Sequence, residues 1–331
     1  MPVTPMTERE ALDVHLHLVH MGGLGRDYNK ITPKTVWHYT NMSGLNGILQ
    51  NSCLWASDYR YMNDASELEF GLQILEICIA HHETTSTIDR PLRSDILIEI
   101  ALMKKNIMGL HVMTTSFCLR GNVLSQWRAY ARQDGLAIGF RREHIEAQAR
   151  AHGFLSDMVH YYFSDNQQYL TPDEKFGPWL GRRILTLKER IANHQVAVRL
   201  FDEAQGRNDD TVPFASVHQI KNIVRSWCAE TAAFIKHPLF EEEQEWRCVK
   251  VINDQSSIFR QEIDHRQSGT KIIPCINLPI SEPDSADKGI SLLVLGPNAD
   301  SRSTNHSVKF LADKYNLNDL AIASPFNPLR V

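Results

Sequence analysis

β-prone segments lie on both sides of two long helical patterns, and this limits what the chain can fold into. Runs rich in β-branched and aromatic residues occur at about 36–40, 54–57, 110–118, 135–140 and 158–163. The helical patterns follow at about 177–203 and 214–235. Further β-prone runs come after them, at 245–253, 258–263, 270–276, 290–295 and 320–323. Each strand needs a partner, so strands from both halves are expected in one sheet. The expected class is α+β, with flanking helices around the sheet. One domain over 31–331 would carry a helical insertion at about 170–237, behind an N-terminal helix within 1–30.

Local signals place the other helices. Thr7 and Glu10 have capping-box spacing before a helix at about 8–21, which the run Gly22-Gly23-Leu24-Gly25 ends. Asn41 or Ser43 caps a short helix carrying Leu45, Ile48 and Leu49. Asn63-Asp64 opens a helix whose stripe is Leu68, Phe70, Leu72, Leu75 and Ile79. Helices are also expected at about 89–106, 123–132, 143–152 and 301–315.

Charge and cysteine usage exclude several classes. Lys plus Arg number 35 against 39 for Asp plus Glu, a net charge of −4 that argues against a dedicated non-specific nucleic-acid binder. The 6 cysteines form no C-x-x-C pair, so reduced, buried thiols are expected rather than a disulfide scaffold or structural zinc. The first twenty residues lack a secretory h-region, and no apolar run is long enough to span a bilayer. A cytoplasmic protein with no membrane partner is the expectation.

Familiar catalytic signatures are missing. There is no Walker A loop, no dinucleotide glycine fingerprint, no H-E-x-x-H and no G-x-S-x-G elbow. His81-His82-Glu83 resembles the start of a zinc deaminase site, but Pro274-Cys275 lacks the second thiolate that site needs. The His pair reads as the solvated end of a helix, and no metal is assigned.

An ordered set of short motifs is present. They are Trp37-His38-Tyr39-Thr40, then Tyr61-Met62-Asn63-Asp64-x-x-Glu67, then Thr115-Ser116-Phe117 with Ser125-Gln126-Trp127-x-x-Tyr130. The run 135–140, Glu243-x-Glu245-Trp246-Arg247, Leu295-Gly296-Pro297 and a terminal Ser324-x-x-x-Pro328-x-Arg330 complete the set. In this order they resemble an uncharacterised bacterial family known only as a domain of unknown function. The resemblance covers about 36–330.

The element order is also similar, more loosely, to the ADP-ribosyltransferases. That resemblance implies an ADP-ribosyltransferase-like split β-sheet core with flanking helices, and a transferase using NAD as cofactor and substrate, with an unknown protein or nucleic-acid acceptor, in a toxin or phage-defence setting. It implies His38, Ser116 and Glu245 as the catalytic residues. His38, Tyr39, Thr40, Ser116, Lys236, Glu243 and Arg247 would contact NAD.

Nicotinamide departure leaves positive charge on the ribose, which a nearby carboxylate stabilises. If Glu243 and Glu245 share a strand, alternation puts them on one face, and their proximity raises one carboxyl's pKa. Tyr39 then alternates away from His38. Lys236 and Arg247 suit a pyrophosphate.

Each residue also has a plainer reading. His38 fits a core histidine, Ser116 a small residue under a helix, and Glu245 with Arg247 a structural ion pair. Trp127 and Tyr130 read as a packed helical face. Asn63-Asp64 reads as a cap, or Asp64 with Glu67 as part of a metal site. The competing functions are a metal-dependent nuclease, whose acid-x-cation signature would be Glu245-x-Arg247, and a non-catalytic sensor or binding protein. The oligomeric state is open.

Overall fold

The computed structural model describes residues 34–62, 66–80, 88–105, 110–131, 135–162, 176–204, 214–253, 262–268, 270–282, 285, 287–297, 301–317 and 320–323. The helix expected at 8–21, Asn63-Asp64, His81-His82-Glu83 and the terminal Ser-Pro-Arg motif lie outside them.

The architecture is α+β with a mixed sheet. The strands are β1 (Thr35–Thr40), β2 (Cys53–Asp58), β3 (Leu110–Cys118), β4 (Leu136–Arg141), β5 (Leu155–Met158) and β6 (His160–Tyr161). They continue as β7 (Ile235–Lys236), β8 (Glu245–Asn253), β9 (Asp264–Ser268), β10 (Lys271–Pro279), β11 (Ile290–Leu295) and β12 (Ala321–Ala323). The helices are α1 (Met42–Asn51), α2 (Glu67–Ala80), α3 (Arg90–Lys105), α4 (Arg142–Ala151), α5 (Phe176–Ala204), α6 (Phe214–Ala232) and α7 (Ser301–Lys314).

The sheet divides at β3. One edge of β3 runs its full length against β8, from Leu110↔Asn253 to Cys118↔Glu245. The other edge is shared: Cys118 pairs with Trp37 of β1, while Thr114 and Met113 pair with Ser57 and Asp58 of β2. Two wings leave this fork. One carries β1, β4, β11 and β12, the other β2, β10 and β9. β5 closes the far edge of β8.

Side-chain alternation then sorts the core. Met113, Phe117, Trp246 and Cys248 face a cluster that joins both wings through Val36, Ile138, Leu54 and Ile276. On the opposite face, Leu110, Val112 and Val249 pack against Leu72 of α2, Ile100 of α3, Leu187 of α5 and Trp227 of α6. Here α2 and α6 meet so closely that a Cβ on Gly71 would stand 2.2 Å from the Ala232 carbonyl oxygen. A third cluster gathers Trp37, Tyr39, Cys118 and Trp127.

Asn41 caps α1 by accepting from the Gly44 N–H at 2.8 Å, as its sequence position suggests. Four details differ from the sequence expectations. The strand expected at 158–163 is two short pieces interrupted at Val159, whose N–H donates to the Glu245 carbonyl. The helical pattern ending near 235 stops at Ala232, and Ile235-Lys236 forms a parallel pair with β6.

The stretch around 127 is a π-type turn over Trp127–Ala131. Its wider winding separates residues three apart. Trp127 is buried while Tyr130 is exposed, so they do not form one packed face. Among the described residues the strand that follows β8 is Asp264–Ser268, and most of the strand expected at 258–263 lies outside them. Of that expected stretch, Glu262 and Ile263 are described and are not strand.

All six cysteines are buried and free. No helix among the described residues is long and apolar enough to cross a membrane.

Candidate functional site

A buried ionic cluster forms where β8, β7 and the start of α2 converge on the helix-covered side of the sheet. Glu245 and Arg247 are two apart on β8 and share a face, with Trp246 turned to the opposite core. Arg247 donates to Glu245 Oε1 at 2.6 Å through Nε and to Oε2 at 2.7 Å through Nη2. Its Nη1 donates to the Ala233 carbonyl at 2.8 Å. Nη2 also reaches the Glu67 carboxylate, which the first turn of α2 presents.

Lys236 enters from β7. Its Nζ lies 2.6 Å from Glu243 Oε2, 3.0 Å from Glu245 Oε2 and 3.7 Å from Glu67 Oε2. The ring of Phe240 sits 4.8 Å from the same nitrogen. The Glu245 N–H donates to the Tyr161 hydroxyl at 2.9 Å, which ties β6 to the start of β8.

Glu243 and Glu245 do converge, but not by strand alternation. Glu243 ends a 3₁₀ turn over Pro238–Glu243, and Gln244 adopts a left-handed conformation at φ 43° before the strand begins. The reversal brings Glu243 to the lysine. Three carboxyl groups thus meet two cations. Burial resists ionising Glu245, but Arg247 and Lys236 outweigh it and hold its carboxyl down at about 2. Burial raises the Glu243 pKa, and Lys236 only partly offsets it. Burial would lower the Lys236 pKa, yet Glu245 and the other carboxylates drive it above the ordinary lysine value.

Ser116 pairs with Arg247 across β3 and β8, and it helps hold the Glu245 carboxyl ionised. Its hydroxyl is buried and makes no well-formed hydrogen bond in this arrangement.

His38 is placed differently. Its ring packs edge-on to Phe117 at 5.8 Å, on the face opposite Ser116 and Glu245. Nδ1 lies 3.2 Å from the Ser116 carbonyl oxygen. A carbonyl only accepts, so Nδ1 carries the hydrogen. That carbonyl lies between the β1 and β2 pairings of β3, and His38 supplies its hydrogen-bond partner at the fork. Part of His38 reaches solvent, yet burial of the ring lowers its pKa.

Tyr39 faces the other way, as alternation requires. Its hydroxyl donates to the Arg120 carbonyl at 2.8 Å and accepts from the Val123 N–H at 2.9 Å. Thr40 ends β1, half-buried, paired with Leu136. The structure therefore brings Ser116, Lys236, Glu243, Glu245 and Arg247 together and leaves His38, Tyr39 and Thr40 out.

Two members of the cluster escaped the sequence reading of the site. Glu67 is the last residue of the Asn63-Asp64-x-x-Glu67 motif, whose sequence suggests a part in a metal site and nothing of this cluster. Tyr161 carried no signal, because its role arises from the break at Val159. Glu67, Glu243 and Glu245 are each paired with Lys236 or Arg247. Among the described residues no group of three His, Cys, Asp or Glu side chains is disposed to hold a metal ion.

The Glu245 shift has a consequence for acid stability. Its pKa falls from 4.5 to about 2 on folding, so its contribution is complete above about 4.5 and lost as pH falls toward 2. Urea-unfolding stability is expected to drop through that window. Glu245→Gln should drop less over the same range.

Residues 126–248 match a family described as a protein of unknown function (DUF2971), a segment that includes Trp127, Tyr130 and the Glu243–Arg247 motif. No curated protein and no solved structure matches the chain.

Proposed function

We propose that this chain is an NAD-dependent, ADP-ribosyltransferase-like protein that modifies a macromolecule, with Glu245 as its charge-stabilising carboxylate. The observation that carries the reading is the meeting of two carboxyls at one buried lysine, with Lys236 Nζ 2.6 Å from Glu243 Oε2 and 3.0 Å from Glu245 Oε2. Glu245 is held fully ionised, while the Glu243 pKa is raised. Neighbouring acids pushed apart in this way suit different roles. An ionised carboxylate stabilises a cationic ribose, and a carboxyl of raised pKa is suited to receive a proton.

In the reaction the bond between the ribose C1′ and the nicotinamide nitrogen breaks, and nicotinamide leaves with the electron pair. The acceptor's nucleophilic atom bonds to C1′ and passes its proton to Glu243. Ser116, beside Glu245, is the remaining side chain of the implied trio on this face. His38 acts through β3 by holding the Ser116 carbonyl. Lys236 and Arg247 hold Glu245 in place in this reading, since the carboxylates already occupy them.

A second reading also has a specific observation behind it. Glu245 is only 5% exposed, with both oxygens on cations, and the His38 ring lies across the sheet. That favours a structural ion cluster in a non-catalytic sensor or binding protein.

Labelled NAD, incubated with the purified chain and a cell lysate, separates the two. The first reading expects label transfer that Glu245→Gln reduces by about 100-fold or more. Glu243→Gln should reduce it by a comparable factor, of order 100-fold. His38→Ala should lower it less. Both glutamine variants are to be matched to wild type by melting temperature. A folded wild type that neither transfers label nor releases nicotinamide overturns the first reading in favour of the second.

A further inference from the structure

A cleft of about 790 Å³ opens away from the Glu245 cluster and shares none of its residues. It lies among the start of β2, the end of β10, the approach to β11 and the C-terminal end of α7. Lys288, Ser52, Lys314, Trp55, Tyr315 and Asn277 are among its walls.

Lys288 is the unusual member. Only 7% of it is exposed, and its Nζ donates to the Ser52 hydroxyl at 2.5 Å. An ammonium group has three hydrogens to donate. Among the described residues no carboxylate pairs with it. Its neighbour Asp287 is committed to Arg141 and to the Gly289 N–H. A buried cation without a counter-charge is costly, and an anion entering the cleft relieves that cost. Although Lys288 is near the surface, burial alone draws its pKa below the ordinary lysine value.

The other walls say which kind of anion. Lys314 adds a second, exposed cation at the rim, its Nζ 5.3 Å from the Tyr315 ring centroid. Trp55 is 43% exposed although it lies on a paired strand. Asn277 faces it across the ladder as an amide able to bond a heterocycle's edge. Two acids, Asp264 and Glu282, also line the cleft, and both are exposed. Glu282 accepts from Gln148, and Asp264 accepts from the His265 N–H. Water screens exposed acids, while the buried lysine keeps its field.

We infer that this cleft binds a nucleoside phosphate, with the phosphate seated on Lys288 and the base laid against Trp55. A volume of several hundred cubic ångströms suits a ligand of that size.

Calorimetric titration of the full chain with ADP, and separately with inorganic phosphate, tests this. ADP is expected to bind more tightly than phosphate. Lys288→Gln should weaken both by about 10-fold or more, through loss of a charge-assisted contact. Trp55→Ala should weaken ADP by about 10-fold and leave phosphate unchanged, since only the base stacks. Lys314→Gln changes an exposed residue, and it should weaken both by a smaller factor. Label transfer from NAD by Trp55→Ala should match wild type, which separates this cleft from the transferase reading. The inference is overturned if ADP gives no binding heat at millimolar concentration, or if it binds no better than phosphate. It is also overturned if Trp55→Ala and Lys314→Gln bind ADP like wild type.

Discussion

Arg247→Met is expected to cost about 3–5 kcal/mol of folding stability in urea unfolding. Arg247 is 2% exposed and serves Glu245, Glu67 and the Ala233 carbonyl at once. Methionine keeps much of the volume and removes the charge. Glu67 and Glu245 are then left with Lys236 alone, which also serves Glu243. Three carboxyl groups would face one cation where water screens them only in part. The cost comes from stranding buried charge rather than from losing the net worth of one pair.

A companion variant distinguishes these. Arg247→Met with Glu245→Met removes both charges and leaves Lys236 facing Glu67 and Glu243. The double variant is expected to be more stable than Arg247→Met alone. If the two are equally unstable, the loss lies in the packing and in the Ala233 bond rather than in the stranded carboxylates.

Trp227→Ala is expected to cost about 3–5 kcal/mol, the range for truncating a fully buried aromatic. Trp227 lies on α6 with 0% exposure, in the cluster that joins α2, α3, α5 and α6 to β3 and β8. Its indole N–H donates to the Arg183 carbonyl at 2.8 Å, which fastens α5 to α6. Removing it leaves a cavity and also breaks the side-chain bond between the two helices.

Where the loss appears is informative as well as its size. The α6 helix packs against both the sheet and α2, so unfolding followed by tryptophan fluorescence and by far-ultraviolet circular dichroism should shift together. A helical transition that separates from the rest would instead mark α5 and α6 as a detachable cap.

Much of the secondary structure was legible in the residues. The apolar stripe from Leu68 to Ile79 marks α2, the uniform β-prone run of 110–118 marks β3, and Asn41 marks the start of α1. These signals are local, because side-chain period and capping groups act within one element. The face of Tyr39 and the sharing of a face by Glu245 and Arg247 follow from the same period of two. The misses fall where local pattern and long-range pairing disagree. Ile235-Lys236 continues an apolar helical pattern, but pairing with β6 takes it out of the helix. Gln244 reads as a strand residue between two glutamates, yet its left-handed turn delivers Glu243 to Lys236. The π-type winding at Trp127 likewise separates Trp127 from Tyr130.

The site divides in the same way. Ser116, Lys236, Glu243, Glu245 and Arg247 are named through the motifs and the family resemblance they carry, and the fold brings these five together. His38 could not be placed, because its position depends on where β1 and β2 part from β3. Lys288 gave no signal at all, since a lysine in a polar loop is normally solvated and only the folded surroundings bury it. By itself the sequence determined which segments are helix or strand and which side chains share a face of one element, because those are set by the repeat of the backbone. The tertiary structure alone decided which charges confront one another and which lysine is buried, because that depends on residues far apart in the chain being packed together away from water.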